Sequence, residues 1–398
     1  MSKNKYPFIF VHGMMGWGEG EGMNRIFPYW GMVCGNLIHQ LQSQDYEAYS
    51  AKVGPFNSAW DRACELYALL AGTRVDYGKA HSSAHQHERF GRSHSAPLVS
   101  DWGPARKVHL IGHSFGGATI RLLTELLTNG SPEERACTDP DDLSPLFAGG
   151  HGDWVCSVTT VSAPHDGSTF TSDLPIFTKA AQLLSGVLFS VLGNTPCNRF
   201  YDNYMEQYGL TCVPGETAWL RPLSPKQAVR LGRMFRTGDH VFHDLTLEGA
   251  AALNENIHCS DQTYYFSITG RGTKPSRKDP SKEVKAKIMN PVFTLSAAIM
   301  GRTKERTVAG THVDASWRPN DGLVPVGSGR YPYREPHTRF SETDGSALKK
   351  GIWYVFDECS GDHGTVIGGS VSFIGPGRGK PFRDAYRRHL DRLITLEK

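Results

Sequence analysis

The chain has 398 residues, 43 of them Lys or Arg against 40 Asp or Glu, and its 43 glycines and 23 prolines make up about one residue in six. A net charge of +3 does not mark a nucleic-acid binder, and no window reaches the ~18 uninterrupted apolar residues of a membrane span. The glycines and prolines are interspersed with apolar runs, which excludes disorder and collagen-like repetition. A globular, loop-rich chain remains, long enough for one large core or two ordinary ones.

Pro7-Phe8-Ile9-Phe10-Val11 is an unbroken apolar run ending in His12-Gly13-Met14-Met15-Gly16, the pattern of a strand buried on both faces. A core strand so early leaves no room for a signal peptide, so the chain reads either as intracellular or as numbered from a mature end. Ser58 to Leu70 reads as a helix and His81 to His94 as a polar, histidine-rich stretch. Val108-His109-Leu110-Ile111-Gly112 is a second buried strand; a helical pattern through Ile120, Leu123 and Leu127 follows and should stop at Asn129-Gly130. Ser131-Pro132-Glu133-Glu134 starts another helix, with a capping serine and proline at the first position. Trp154 to Ser162 is a third strand, and the alternation predicts an α/β fold with a mostly parallel central sheet and helices on both faces.

Ile176 to Leu192 is apolar nearly all round but too short and too mixed to cross a bilayer. Arg271 to Arg306 holds ten Lys or Arg against three acidic residues, which reads as a solvated insertion rather than a binding patch. Phe382, Tyr386, Leu390 and Leu393 recur at helical spacing and predict an amphipathic closing helix. The eight cysteines are irregularly spaced with no CxxC pair, and read mostly as buried thiols rather than a disulfide framework.

Gly112-His113-Ser114-Phe115-Gly116 fits G-x-S-x-G between a buried strand and a helix. In that context the serine occupies a strained turn, where side chains two residues away on either side would collide with backbone. A serine nucleophile needs a base, and the base an orienting carboxylate, in the chain order Ser…Asp…His. His363, in the loop after the apolar run Trp353 to Phe356, is the candidate base, and Asp321 of Asn320-Asp321-Gly322 the candidate acid. His165 is a rival base that would have to reach back to Asp166 or Asp173. Met14 and Phe115 occupy the positions whose backbone N–H groups would hold an oxyanion.

Asp61, His81 and His87, with His85 between, form a cluster of candidate metal ligands whose imidazole and carboxylate groups suit zinc. The spacing of His81 and His87 does not place them on one helical face, so a loop has to present them. The plainer readings are a solvated histidine-rich loop and a helix cap at Ser58-Ala59-Trp60-Asp61.

These residues resemble the zinc-containing true lipases of bacilli and staphylococci, members of the α/β-hydrolase fold. The resemblance covers nearly the whole chain. It includes Phe10-Val11-His12-Gly13, Trp60-Asp61-Arg62-Ala63-Cys64-Glu65, Val75-Asp76-Tyr77-Gly78, Arg89-Phe90-Gly91-Arg92, Ser144-Pro145-Leu146-Phe147, Ala163-Pro164-His165-Asp166-Gly167 and Asn320-Asp321-Gly322. By that similarity Ser114, Asp321 and His363 match the family triad, Met14 and Phe115 its oxyanion positions, and Asp61, His81 and His87 three zinc ligands. The fourth ligand falls on Asp244, because Asp244-Leu245-Thr246 with Gly249-Ala250 and Leu253-Asn254 fits the family pattern.

The resemblance implies a lipase that hydrolyses acylglycerol esters at a lipid–water interface, with a structural zinc and no nucleic-acid partner. It further implies secretion, with a cytoplasmic location the alternative, and leaves the oligomeric state open. One hydrolase domain over 1–398 is expected, with 56–100 and 215–260 contributing a zinc-binding subdomain and about 170–215 a lid. The family's Ala-His-Ser-Gln-Gly is altered at Gly112 and Phe115, which should change the floor of the substrate pocket. Its calcium loop carries carboxylates shortly after the catalytic histidine; here no acidic residue follows until Asp384, so no calcium site is expected. The competing functions are a carboxylesterase or polyester hydrolase for shorter or non-lipid esters, and a non-catalytic lipid-binding protein.

Overall fold

The computed structural model describes residues 3–173, 200–210, 224–343 and 348–397, so the expected lid stretch Ile176 to Leu192 lies outside the described residues. Among the described residues seven strands form the central sheet: β1 (Phe8–Val11), β2 (Ala48–Ala51), β3 (Val108–His113), β4 (Val155–Val161), β5 (Tyr264–Ile268), β6 (His337–Arg339) and β7 (Trp353–Val355). Their order is β6-β7-β5-β4-β3-β1-β2, and every pairing is parallel. The helices used below are α1 (Ala59–Ala71), α2 (Lys79–His85), α3 (Gly116–Asn129), α4 (Val241–Asp244), α5 (Thr294–Met300) and α6 (Lys380–Leu393).

Unbroken apolar strands are needed because both faces of the sheet are covered. Side chains alternate between the faces: Ile9, Val11, Leu110 and Val158 join one core with α1 and α3. Phe8, Phe10, Ile111 and Phe266 join the other with Trp30 and α6. Local signals set the helix ends. Ser58 accepts the Asp61 N–H at the start of α1, Gly130 ends α3, and Ser131 accepts the Glu134 N–H of the next helix.

The chain passes from β1 outward to β2 and returns to β3 on the other side of β1. The loops leaving the carboxyl ends of β1 and β3 therefore diverge over a crevice, the place where open α/β sheets hold their ligands. The 271–306 segment is an antiparallel hairpin (Thr273–Pro275 with Glu283–Lys285) followed by α5.

Below the amino ends of the strands Asn4 meets residues 393–396. The Asn4 N–H donates to the Ile394 carbonyl at 2.9 Å, and its side-chain amide donates to Leu393 and Leu396 carbonyls at 3.0 and 2.6 Å. Among the described residues no helix is long and apolar enough to cross a membrane. Six described cysteines are free thiols; Cys64 and Cys156 are buried, and Cys137 and Cys359 exposed.

Candidate functional site

Ser114 follows β3 directly and has φ +53°, a backbone conformation uncommon for a residue with a side chain. It is tolerated because the flanking positions are bare: a Cβ on Gly112 would lie 2.5 Å from the Gly116 carbonyl oxygen, and one on Gly116 2.4 Å from that of Val11. The loop after β1 presses against the serine, since a Cβ on Gly13 would lie 2.7 Å from Ser114 Cβ and 3.1 Å from its Oγ.

His363 and Asp321, distant in sequence, are brought together: His363 Nδ1 and Asp321 Oδ2 are 2.8 Å apart, and the His363 backbone N–H donates to the Asp321 carbonyl at 2.8 Å. Asp321 is held in turn by the Leu323 and Val324 N–H groups, which donate to its Oδ1 at 2.9 and 2.7 Å. An ionised carboxylate is acceptor-only, so it fixes the proton of neutral His363 on Nδ1 and leaves Nε2 free to accept one.

Both Asp321 and His363 are buried. Among the described residues the Ser114 hydroxyl makes no hydrogen bond, and neither does the Met14 or the Phe115 backbone N–H. His165, the rival base, is sealed in the core: its Nε2 meets the Thr160 hydroxyl at 3.1 Å, its ring packs on Trp353, and burial drives its pKa well below the usual value.

Two buried groups that the sequence did not single out tie the site together. Tyr29 accepts the Gly13 N–H at 2.9 Å and meets His113 Nδ1 at 2.7 Å, while His113 Nε2 lies 3.2 Å from the His363 carbonyl. Burial keeps the His113 pKa well below normal, so the ring is neutral. A carbonyl can only accept; His113 therefore donates from Nε2 and accepts at Nδ1 from the tyrosine hydroxyl. This directed chain joins the β1 loop, the serine strand and the histidine loop.

Arg62 on α1 donates to the Thr119 hydroxyl, the Gly54 carbonyl and the His12 carbonyl at 2.8, 2.7 and 2.5 Å. Its guanidinium lies 5.3 Å from the Phe115 ring centre. Phe115 is thus buried, with its ring against Arg62.

A second cluster lies away from the serine. His81 Nε2 is 3.2 Å from Asp61 Oδ1 and 3.4 Å from Asp239 Oδ1, and His87 Nε2 is 3.9 Å from Asp61 Oδ1 and 3.2 Å from Asp239 Oδ2. One donor atom from each of these four residues falls within 4.8 Å of the others. Asp61 Oδ1, His81 Nε2, His87 Nε2 and Asp239 Oδ1 are buried atoms with no hydrogen-bond partner. Four orphaned donor atoms converging on one point fit a metal ion, since buried polar atoms are otherwise satisfied. The outer contacts also suit one: His87 Nδ1 meets the Glu88 carbonyl at 2.8 Å, while Gln207 and the Tyr208 hydroxyl donate to Asp61 and Asp239 at 2.9 and 2.7 Å.

Two expectations are corrected here. The fourth member is Asp239 and not Asp244, whose Oδ2 accepts the Ala59 N–H at 2.8 Å and so caps α1. His81 is on a helix, α2, and not in a loop; Gln86 at φ +60° ends that helix and turns His87 back beside it.

The chain is 32% identical to Lipase 1 of Staphylococcus aureus over 399 residues, covering 100% of this chain and 55% of the relative. It thus spans about half the length of the curated relatives it matches. Among solved structures, Staphylococcus hyicus lipase superposes with a TM-score of 0.82 at 31% identity, covering 99% of this chain and 97% of that one. Lipase 1 from Pelosinus fermentans superposes with a TM-score of 0.77 at 34% identity, covering 99% and 100%. The family described as "Lipase-like, C-terminal domain" matches residues 4–398, and the protein belongs to it, with an α/β-hydrolase fold.

Proposed function

We propose that the protein is a lipase that hydrolyses acylglycerol esters through an acyl-enzyme on Ser114. The observation that carries this reading is the buried His363–Asp321 pair held at 2.8 Å, with the ring 4.6 Å from that of His113, the neighbour of a serine on a positive-φ turn. Ser114 Oγ attacks the ester carbonyl while its proton passes to His363 Nε2. Asp321 stabilises the imidazolium, and the Met14 and Phe115 N–H groups hold the oxyanion. The tetrahedral intermediate collapses as His363 protonates the leaving alcohol, and water activated by the same histidine then releases the fatty acid. The serine–histidine bond closes on substrate binding, as such contacts are often long in resting enzymes.

Asp61, His81, His87 and Asp239 would hold zinc, whose tetrahedral preference suits two imidazoles and two carboxylates. Four protein ligands leave no open position, so its part is to pin α1 and α2 to the turn before α4. No calcium is expected beside the base, a reading supported by the engagement of its nearby carboxylates: Asp362 accepts the Asn290, Gly364 and Thr365 N–H groups and the Thr365 hydroxyl, and Glu358 pairs with Arg271 and Arg330. A substrate dispersed as droplets too large to enter a cell accords with secretion.

Replacing Ser114 with alanine should lower ester hydrolysis by about a thousandfold or more without altering the fold, and a serine-directed phosphonate should label the parent but not the variant. Retained activity would overturn the assignment. A chain-length series decides between lipase and esterase: rising activity toward long acyl chains presented as droplets supports the former, and a maximum at short soluble esters the latter.

A further inference from the structure

We infer that the segment from Lys285 to Leu295 is a docking surface for lipid interfaces carrying anionic head groups. The inference builds on the proposed lipase activity, and its binding test does not depend on catalysis. The segment lies against both loops of the catalytic pair. The Asn290 N–H donates to Asp362 Oδ2 at 2.7 Å, one residue from His363. Phe293 backs onto Gly322, one residue from Asp321, where an added Cβ would come within 2.6 Å of it. Met289 and the Ser296–Ala297 side of α5 are buried and anchor the segment.

What faces outward is apolar. Ile288, Val292 and Leu295 are 44%, 73% and 66% exposed, three large aliphatic groups within eight residues of the segment that abuts Asp362 and Gly322. Single exposed apolar residues are ordinary, but a contiguous group marks a contact surface.

The charge beside them identifies the partner. Lys285 and Lys287 are exposed immediately before Ile288, and among the described residues neither has an ionic partner. The three acidic residues of the same insertion are engaged elsewhere: Glu283 with Arg271, Asp279 with Lys282, and Glu305 with Arg318. Aliphatic side chains that enter the acyl boundary, flanked by lysines at head-group level, are the combination that binds anionic lipid surfaces. A protein partner would be expected to supply carboxylates for the lysines and a shaped apolar pocket; a lipid surface supplies both as a fluid. Hydrolysis also releases carboxylates into the interface, so the surface would strengthen its own docking as product accumulates.

The test measures binding of the full chain to vesicles of phosphatidylcholine alone and with one third phosphatidylglycerol, alongside activity on a soluble short-chain ester. The parent should bind the anionic vesicles at least about tenfold more tightly, with the advantage falling as salt is raised. The Lys285→Glu/Lys287→Glu double variant should lose that preference, and Val292→Asp/Leu295→Asp should bind both vesicles about tenfold or more weakly. Both variants should keep their activity on the soluble ester. Equal binding to the two vesicles, unaltered binding by the variants, or a concentration-dependent dimer abolished by Val292→Asp/Leu295→Asp would overturn the proposal. An inactive parent that still binds anionic vesicles through these residues would overturn the lipase reading alone.

Discussion

The strained turn at Ser114 and the pairing of His363 with Asp321 were legible in the sequence because each residue sits in a local pattern that constrains it: the glycine-flanked serine, the Asn-Asp-Gly turn and the late Asp-His-Gly loop. Tyr29 and His113 carry no such pattern. A tyrosine before a tryptophan reads as core, and only the folded chain shows its hydroxyl bridging two backbone segments. Tyr29→Phe keeps the ring but leaves the Gly13 N–H and His113 Nδ1 without their partner. Stability should fall by about 1–3 kcal/mol. Because the Gly13 peptide leads into the Met14 N–H, kcat on a soluble ester should drop about tenfold with KM little changed. A lower Tm with unchanged kcat would show the bridge to be structural only.

At the level of elements, the metal cluster shows what local pattern leaves open. Asp239 lies just before α4 and Asp244 at its end, and the seven residues from His81 to His87 suggest neither the helix nor its left-handed end. Which carboxylate reaches Asp61 is decided by the path of the chain. Asp239 precedes α4 and points inward, whereas Asp244 on α4 is spent on the first turn of α1.

The two substitutions should therefore part company. Under the zinc assignment proposed above, Asp239→Ala should abolish binding of one equivalent of zinc and lower Tm by about 10 °C or more. Asp244→Ala should keep the metal and cost about 1 kcal/mol for a lost cap, as read by metal analysis and thermal melts. Adding a calcium-selective chelator should leave the melting temperature of the parent unchanged.

Across the whole molecule, the central strands β1, β3 and β4 and the apolar run of β7 were the most legible features, since they are covered on both faces, whereas β2 (Ala-Tyr-Ser-Ala) and the edge strand β6 (His-Thr-Arg) carry no such run. The same burial encloses polar groups whose protonation bears on global stability. His12, His109 and His389 are buried, and burial pushes their pKa values down to about 3. A histidine neutral in the fold but titrating near 6.5 when unfolded contributes stability above that pH and loses it as pH falls toward 3. At His109 the loss between pH 7 and 4.5 amounts to about 2–3 kcal/mol. The stability deficit of His109→Gln relative to the parent should shrink by that amount over the same interval in urea melts. A constant deficit would mean that His109 has the same pKa in the native and unfolded states.

The contact of Asn4 with residues 393–396 places both termini beneath the amino ends of the strands, across the sheet from Ser114. A tether attached at either terminus would therefore leave the catalytic crevice pointing away from its support. A short peptide joining the two ends would permit a circularly permuted chain, opened at an exposed loop, to close the same sheet.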